Sequence, residues 1–217
     1  MTGSQLVEGA PDKETIENRK KFFSKLKIEL ADMAWAQVAQ GLKIARVNAA
    51  QAGKIIKAAD GLMTDVKGLA LAVTAADCLP IYFYDPVKQV IGLAHAGWRG
   101  LAKNFPARLI KKLAGKYKSD IKQIKVFVGP HIKSCHFEVR PDVAAKFRDY
   151  PKHLRKRPSK IFIDLAGVVK EQLVIAGLKP ENFKVFGGCT YDNKNYFSFR
   201  RDQGKTVKAM AAFIVLC

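Results

Sequence analysis

Asp77-Cys78-Leu79-Pro80 and His95-Ala96-Gly97-Trp98-Arg99-Gly100 are the two segments of this 217-residue chain richest in residues able to do chemistry. If the first opens one β-strand and the second closes its neighbour, the turn between the strands brings Cys78 and His95 together. A thiol touching an imidazole can be a nucleophile beside its base. Alternatively, the two can bind a metal whose charge strips the thiol proton, and spacing alone leaves both open. Asp77 is a candidate hydrogen-bond partner or proton carrier. Gly97 and Gly100 permit a tight turn where a helix begins, and the free N–H groups and dipole there favour an anion. Arg99 can add a bidentate contact to phosphate. Taken singly, Cys78 reads as an ordinary buried thiol, His95 as a satisfied core histidine and Trp98 as packing; their density in one block is what points to a reactive centre.

Two further blocks are similarly dense. Gly129-Pro130-His131-Ile132 is followed by Cys135-His136-Phe137-Glu138-Val139, and Cys189-Thr190 is followed by Phe197-Ser198-Phe199-Arg200-Arg201-Asp202. Paired arginines near a hydroxyl suit an oxyanion or a nucleotide, which makes Thr190, Arg200 and Arg201 candidate substrate or phosphate contacts. Each block also has a plain structural explanation: a Gly-Pro turn, a buried cysteine, or arginines paired with Asp202.

The elements that position these residues follow from periodicity. Ile16, Phe23, Leu26 and Leu30 recur at helical spacing between Glu14 and Leu30. Leu42 to Val47 reads as a strand, and Asp60, Gly61 and Thr64 as a turn. Leu69 to Val73, Leu79 to Tyr84 and Val90 to Ala94 are too brief for helices and read as neighbouring strands of one sheet. Leu101, Phe105, Leu109, Ile110 and Leu113 mark a helix ending near Gly115. The second half gives a strand at Ile124 to Val128, a helix at Pro141 to Phe147, a strand at Ile161 to Ile163 and a helix at Leu165 to Ala176. Strands at Phe183 to Phe186 and Met210 to Leu216 close it, with Arg148 to Lys160 as a surface loop. This mixed order predicts an α/β fold of the α+β layered kind, with mixed sheets rather than regular βαβ winding. Residues 1–12 read as a flexible N-terminal segment and 13–217 as a single domain.

Composition bounds the rest. With 48% hydrophobic residues the chain can bury a sizeable core. Gly68 to Tyr84 is interrupted by Asp77 and Pro80, short of the roughly 20 apolar residues a membrane span requires. The segment from Met1 to Pro11 lacks the basic start and apolar stretch of a secretory leader. The four cysteines, Cys78, Cys135, Cys189 and Cys217, form no CxxC pair and read as reduced thiols, so a cytoplasmic setting is expected. Lys and Arg outnumber Asp and Glu by 38 to 19, a formal charge of +19 that favours anionic partners. Basic clusters at Lys103 to Lys118 and Lys146 to Lys160 read as solvated faces rather than a nucleic-acid site. Nothing here fixes an oligomeric state.

In order, Ala59-Asp60-Gly61-Leu62-Met63-Thr64, Ala76-Asp77-Cys78-Leu79-Pro80, His95 to Gly100, Gly129 to Ile132 and Phe197 to Asp202 resemble the laccase-domain or polyphenol oxidase family. The resemblance runs from about Asn18-Arg19 to the C-terminus. It implies a layered fold shared with bacterial cytotoxic necrotizing toxins, and a zinc held by one cysteine and two histidines, copper fitting that ligand set less well. Cys78 and His95 match two of these ligands. The third, a histidine in a Gln-Val-His-Gly type block, aligns with Val38-Ala39-Gln40-Gly41 and so puts Gln40 at its position; no histidine precedes His95. His131 and His136 are alternative donors for that place. The resemblance further implies phosphorolysis of purine nucleosides, methylthioadenosine among them, with adenosine deamination as a second activity. Purine nucleosides and phosphate are then the expected partners. Two alternatives stay open: a family member weakened by the missing histidine that binds nucleosides or a partner protein without turnover, and a Cys/His hydrolase of amide or ester bonds, for instance in cell-wall precursors.

Overall fold

The computed structural model of the chain describes residues 13–203 and 208–217, so the N-terminal segment 1–12 lies outside the described residues. Among the described residues, thirteen strands run in chain order: β1 Met33–Ala36, β2 Ile44–Arg46, β3 Ile55–Ile56, β4 Gly61–Thr64, β5 Ala70–Ala75, β6 Leu79–Asp85, β7 Val90–Ala96, β8 Lys125–Val128, β9 Glu138–Val139, β10 Leu154–Arg157, β11 Lys160–Ile163, β12 Phe183–Val185 and β13 Met210–Ile214. Between them lie α1 Lys13–Ser24, α2 Trp98–Leu101, α3 Phe105–Tyr117, α4 Pro141–Ala144, α5 Leu165–Ile175 and α6 Phe199–Asp202. Short 3-10 turns make further connections.

The strands form a six-stranded sheet in the order β12-β8-β6-β7-β4-β2, a four-stranded sheet β13-β5-β1-β3 and a small sheet β10-β11-β9. In the large sheet the central pairs β8/β6, β6/β7 and β7/β4 are antiparallel, whereas β12/β8 and β4/β2 are parallel. This is the mixed α/β layering that the element order predicts. The reversal between β6 and β7 is fixed by the Asp85 carboxylate, which accepts from the backbone N–H of Val87 and of Lys88 at 2.8 and 3.0 Å.

Burial explains the strand composition. Every residue of β7 is buried, because α3 and α5 cover one face of the large sheet while the four-stranded sheet covers the other. A strand covered on both faces carries a continuous apolar run instead of alternation. One core cluster joins Ile81, Phe83, Phe105, Leu109, Leu113, Val169 and Leu173; the second, between the sheets, joins Ala34, Leu62, Leu71, Val73, Ile91 and Leu93. On the far face of the four-stranded sheet α1 contributes Phe23, whose ring meets Trp35 and Phe213 edge-on at 6.0 and 5.0 Å.

Four expectations change. Residues 61–64 are the strand β4 and not a turn: Gly61 and Gly92 make the sheet surface flat enough for α3 to settle on it. A Cβ at either glycine would stand 2.9 or 3.1 Å from a Leu109 methyl. β5 does not join β6 and β7 but pairs with β1 and β13 in the other sheet, a partition that similar apolar runs do not encode. The first helix stops at Ser24, and Lys27 takes a left-handed φ of 57° beyond it. Part of the expected loop 148–160 is β10, paired antiparallel with β11 through a turn at Ser159, φ 61°.

Leu109→Ala removes the contact on which α3 seats, and is expected to cost about 2–5 kcal/mol of stability. Denaturant unfolding monitored by circular dichroism checks this; a loss under roughly 1 kcal/mol would mean that the helix is held mainly elsewhere.

Candidate active site

The antiparallel register of β6 and β7 pairs Leu79 with Ala96 and Pro80 with His95. Cys78 therefore stands just beyond the end of this ladder, opposite Gly97. A Cβ on Gly97 would lie 3.1 Å from Cys78 Sγ, so the glycine leaves the room the sulfur occupies. Next door, β4 pairs with β7 through Gly61 and Ala94, and one residue further on the His95 N–H donates to the Asp60 carbonyl at 2.8 Å. Three strand ends thus deliver Cys78, His95 and Asp60 to one corner.

The side chains meet there. His95, 4% exposed, places Nδ1 3.2 Å from Asp60 Oδ1. Asp60 Oδ2 accepts from the backbone N–H of Gly41 at 2.8 Å and of Ala39 at 3.3 Å. With Nδ1 donating to the carboxylate, Nε2 is left for the half-buried Cys78, whose sulfur acts on the imidazole electrostatically. Burial works against a charged His95. The negative charge of the Cys78 sulfur and the Asp60 carboxylate outweigh it, and the ring is pushed up to about 10.

Gln40 sits between the two N–H groups that hold Asp60, in a left-handed conformation at φ 52°. Its Oε1 accepts from Arg99 Nη1 at 3.1 Å, and the Arg99 guanidinium lies 4.5 Å from the Trp98 ring centre. Gln40 and Arg99 therefore come to the same corner as a bonded pair.

Asp77 has a different surrounding from Asp60. It adopts φ 82°, a costly conformation for a residue with a side chain. Its carboxylate accepts from the Thr190 hydroxyl at 2.6 Å and from the Arg200 N–H at 2.7 Å, and its carbonyl accepts from the Ile132 N–H at 3.1 Å. Asp77 and buried Thr190 thus fasten the residue preceding Cys78 to the 189–200 segment. Arg200 sends Nη1 to the Glu138 carbonyl at 3.0 Å and lines a cleft of about 400 Å³ with Val139, Arg140 and Ser159. Arg201 directs Nη1 at the carbonyls of Thr190 and Tyr191, Nη2 at that of Tyr196, and both Nε and Nη2 at Asp202. It clamps its own loop.

The two alternative histidines have other roles. His131 is buried, with Nδ1 2.8 Å from the Gly129 carbonyl, and burial holds it below its ordinary value. His136 lies among Cys135, Cys189 and Asp192, and one ligand atom from each of these four falls within 4.8 Å of the others. Asp60 is the member of this corner that residue-type reasoning passed over. The signal was available in the acid standing immediately before the Gly61 strand, but it read as a turn former. The buried hydroxyl gives a check on the Asp77 anchor: Thr190→Val, which leaves one carboxylate oxygen unpaired, is expected to cost about 1–3 kcal/mol and to quicken reaction of Cys78 with a thiol reagent. Unchanged unfolding and unchanged reactivity would show that the loop is held without it.

Residues 6–217 match the family model described as multi-copper polyphenol oxidoreductase laccase. Purine nucleoside phosphorylase YlmD of Bacillus subtilis is 30% identical over 213 residues, which cover 92% of this chain and 77% of that protein. A purine nucleoside phosphorylase of Borreliella burgdorferi is 37% identical over 150 residues, covering 65% of this chain and 63% of the relative. Among solved structures, the hypothetical protein YfiH of Bacillus licheniformis superposes with a TM-score of 0.91 at 33% identity, over 99% of this chain and 85% of that one. YlmD of Geobacillus stearothermophilus gives 0.90 at 30% identity, over 98% and 84%. No helix among the described residues is long and apolar enough to cross a membrane.

Proposed function

Because the chain belongs to the multi-copper polyphenol oxidoreductase laccase family, and relatives matching most of it carry the name purine nucleoside phosphorylase, we propose that it cleaves purine nucleosides by phosphorolysis at the Cys78–His95–Asp60 corner. The observation that carries this reading is the meeting of the Cys78 sulfur with a His95 ring held from behind by a buried carboxylate.

The family resemblance brings with it a zinc between one cysteine and two histidines. Cys78 and His95 suit such an ion, and a carboxylate on the far ring nitrogen is the usual support of a metal-binding histidine. The third corner is Gln40, whose neutral amide oxygen is bonded to a guanidinium cation. An amide oxygen is a poor partner for zinc beside imidazole and thiolate, and the adjacent positive charge opposes a second cation. These residues do not complete a zinc site.

Phosphorolysis brings its own nucleophile. A phosphate oxygen attacks the anomeric carbon, the glycosidic C–N bond breaks with its electron pair going to the purine, and the purine takes up a proton. Half-buried Cys78 faces the substrate. Its Sγ relays the His95 Nε2 proton to the departing base, and solvent returns a proton to His95, while Asp60 keeps the ring in place. Arg99 offers the phosphate its positive charge, with Arg200 as the second contact. Arg201, spent on its loop, and Thr190, spent on Asp77, act by positioning. Methylthioadenosine is a substrate of the same chemistry. Adenosine deamination requires an activated water, which metal hydrolases obtain from the ion, so this second activity is the weaker one here.

With inosine or adenosine in phosphate buffer, free base and sugar 1-phosphate are expected, deamination running well behind. Cys78→Ala or His95→Ala is expected to lower the rate by roughly 10²-fold or more. An active Cys78→Ala/His95→Ala double variant would remove this corner from the reaction. Gln40→His, which restores the absent imidazole, is expected to add one bound zinc per chain and to raise deamination relative to phosphorolysis, measured by elemental analysis and product chromatography. The order Cys78, His95, Asp60 is also that of nucleophile, base and orienting acid, which favours, as a second reading, thiol attack on an amide or ester. Turnover without phosphate, together with an acylated Cys78 found by mass spectrometry, would select it.

A further inference from the structure

Cys135 and His136 lie on the turn that follows His131, and Cys189 and Asp192 lie in the loop between β12 and α6. The fold brings these four side chains together, and none of them belongs to the Cys78–His95 pair. Cys135 Sγ is 3.6 Å from Asp192 Oδ2, Cys189 Sγ is 3.8 Å from His136 Nδ1, and His136 Nδ1 is 3.3 Å from Asp192 Oδ1. A tetrahedral zinc with sulfur at about 2.3 Å, nitrogen at about 2.05 Å and oxygen at about 2.1 Å has edges of about 3.6 Å for S–O, 3.6 Å for S–N and 3.4 Å for N–O. The S–O and S–N separations fall within about 0.2 Å of those edges; Asp192 meets Cys135 through Oδ2 and His136 through Oδ1, and one ligand atom from each of the four residues lies within 4.8 Å of the others.

The surroundings are those of a built site. The Lys133 N–H points at Cys189 Sγ from 3.4 Å, the contact a metal-bound thiolate commonly accepts. The His136 ring stacks on Tyr191 at 4.2 Å between centres and 15° between planes, which fixes the direction of Nδ1. The Arg201 guanidinium reaches the carbonyls of Tyr191 and Asn193 on either side of Asp192 and so fixes the backbone that carries this carboxylate. Cys189 itself is held by a bridge to His131.

We propose that Cys135, His136, Cys189 and Asp192 bind a zinc ion as a closed structural site, distinct from the Cys78–His95–Asp60 corner. Four protein ligands of two thiolates, an imidazole and a carboxylate fill a tetrahedral ion and leave no place for substrate, which marks a structural role. The ion ties the 131–139 turn to the 189–202 segment. That segment carries Thr190 and Arg200, the two groups that hold Asp77 beside Cys78, so the site braces the corner without joining its chemistry. The inference does not depend on which reaction occurs at Cys78.

The test is elemental analysis of full-length protein purified under a thiol reductant. Wild type and the Cys78→Ala/His95→Ala double variant are each expected to hold about one zinc per chain. Cys189→Ser is expected to lose it. Asp192→Ala, an exposed change that spares the core, is expected to weaken zinc affinity by about tenfold or more. Cobalt substitution adds a readout that needs neither activity nor the cysteine variants: the wild type is expected to show thiolate-to-cobalt absorption and tetrahedral d–d bands. Zinc absent from both wild type and the double variant overturns the proposal, as does zinc lost from the double variant but kept in Cys189→Ser. A Cys135–Cys189 disulfide in the reduced preparation, found by mass spectrometry, overturns it too.

Discussion

A buried imidazole keeps a proton only where negative charge stands close to it, and the architecture of this chain converges on meeting that condition at His95. One charge comes from Cys78, placed by the start of β6, and the other from Asp60, placed by the start of β4. Both flank the same central strand, so the contact is as rigid as the ladder that carries it. The N–H groups of Ala39 and Gly41 satisfy the second oxygen of the buried Asp60 carboxylate. The left-handed turn at Gln40 lets two N–H groups separated by one residue point at one oxygen. A change at residue 40 therefore bears on the carboxylate as well as on any ligand position.

The same logic explains why the chain holds two acids near one thiol with unlike duties. Asp60 faces a titrating ring. Asp77, one residue before the thiol, spends both oxygens on a hydroxyl and a backbone N–H from distant segments. Sequence adjacency to Cys78 made Asp77 the natural candidate for proton transfer, yet its surroundings are those of an anchor.

Much of the site was legible because it sits where local patterns are strong. β6 and β7 are dense apolar runs separated by an Asp-Pro turn, and the corner between Cys78 and His95 follows from pairing them as neighbours. Harder to read were the features set by long-range partnership. β5 resembles β6 and β7 in composition, and only burial between two sheets sends it to β1 and β13. β1 is four buried residues with no alternation to mark it. Arg200 and Arg201 look alike on the page, but one lines a cleft while the other is absorbed by its own loop. Cys135, His136 and Cys189 were visible only in two separate dense blocks and Asp192 in neither, since no local spacing joins residues from a turn and a remote loop.

The long reach of the Asp77 anchor has a temporal side. Its two donors come from residues 190 and 200, and β13, an edge strand of the four-stranded sheet, comes later still. In a nascent chain emerging N-terminus first, the strained residue beside the thiol stays untethered until residues 190 and 200 have left the ribosome. Competence at this corner is thus a late event in the life of each molecule, and a stalled or shortened product would carry the reactive sulfur without the frame that disciplines it.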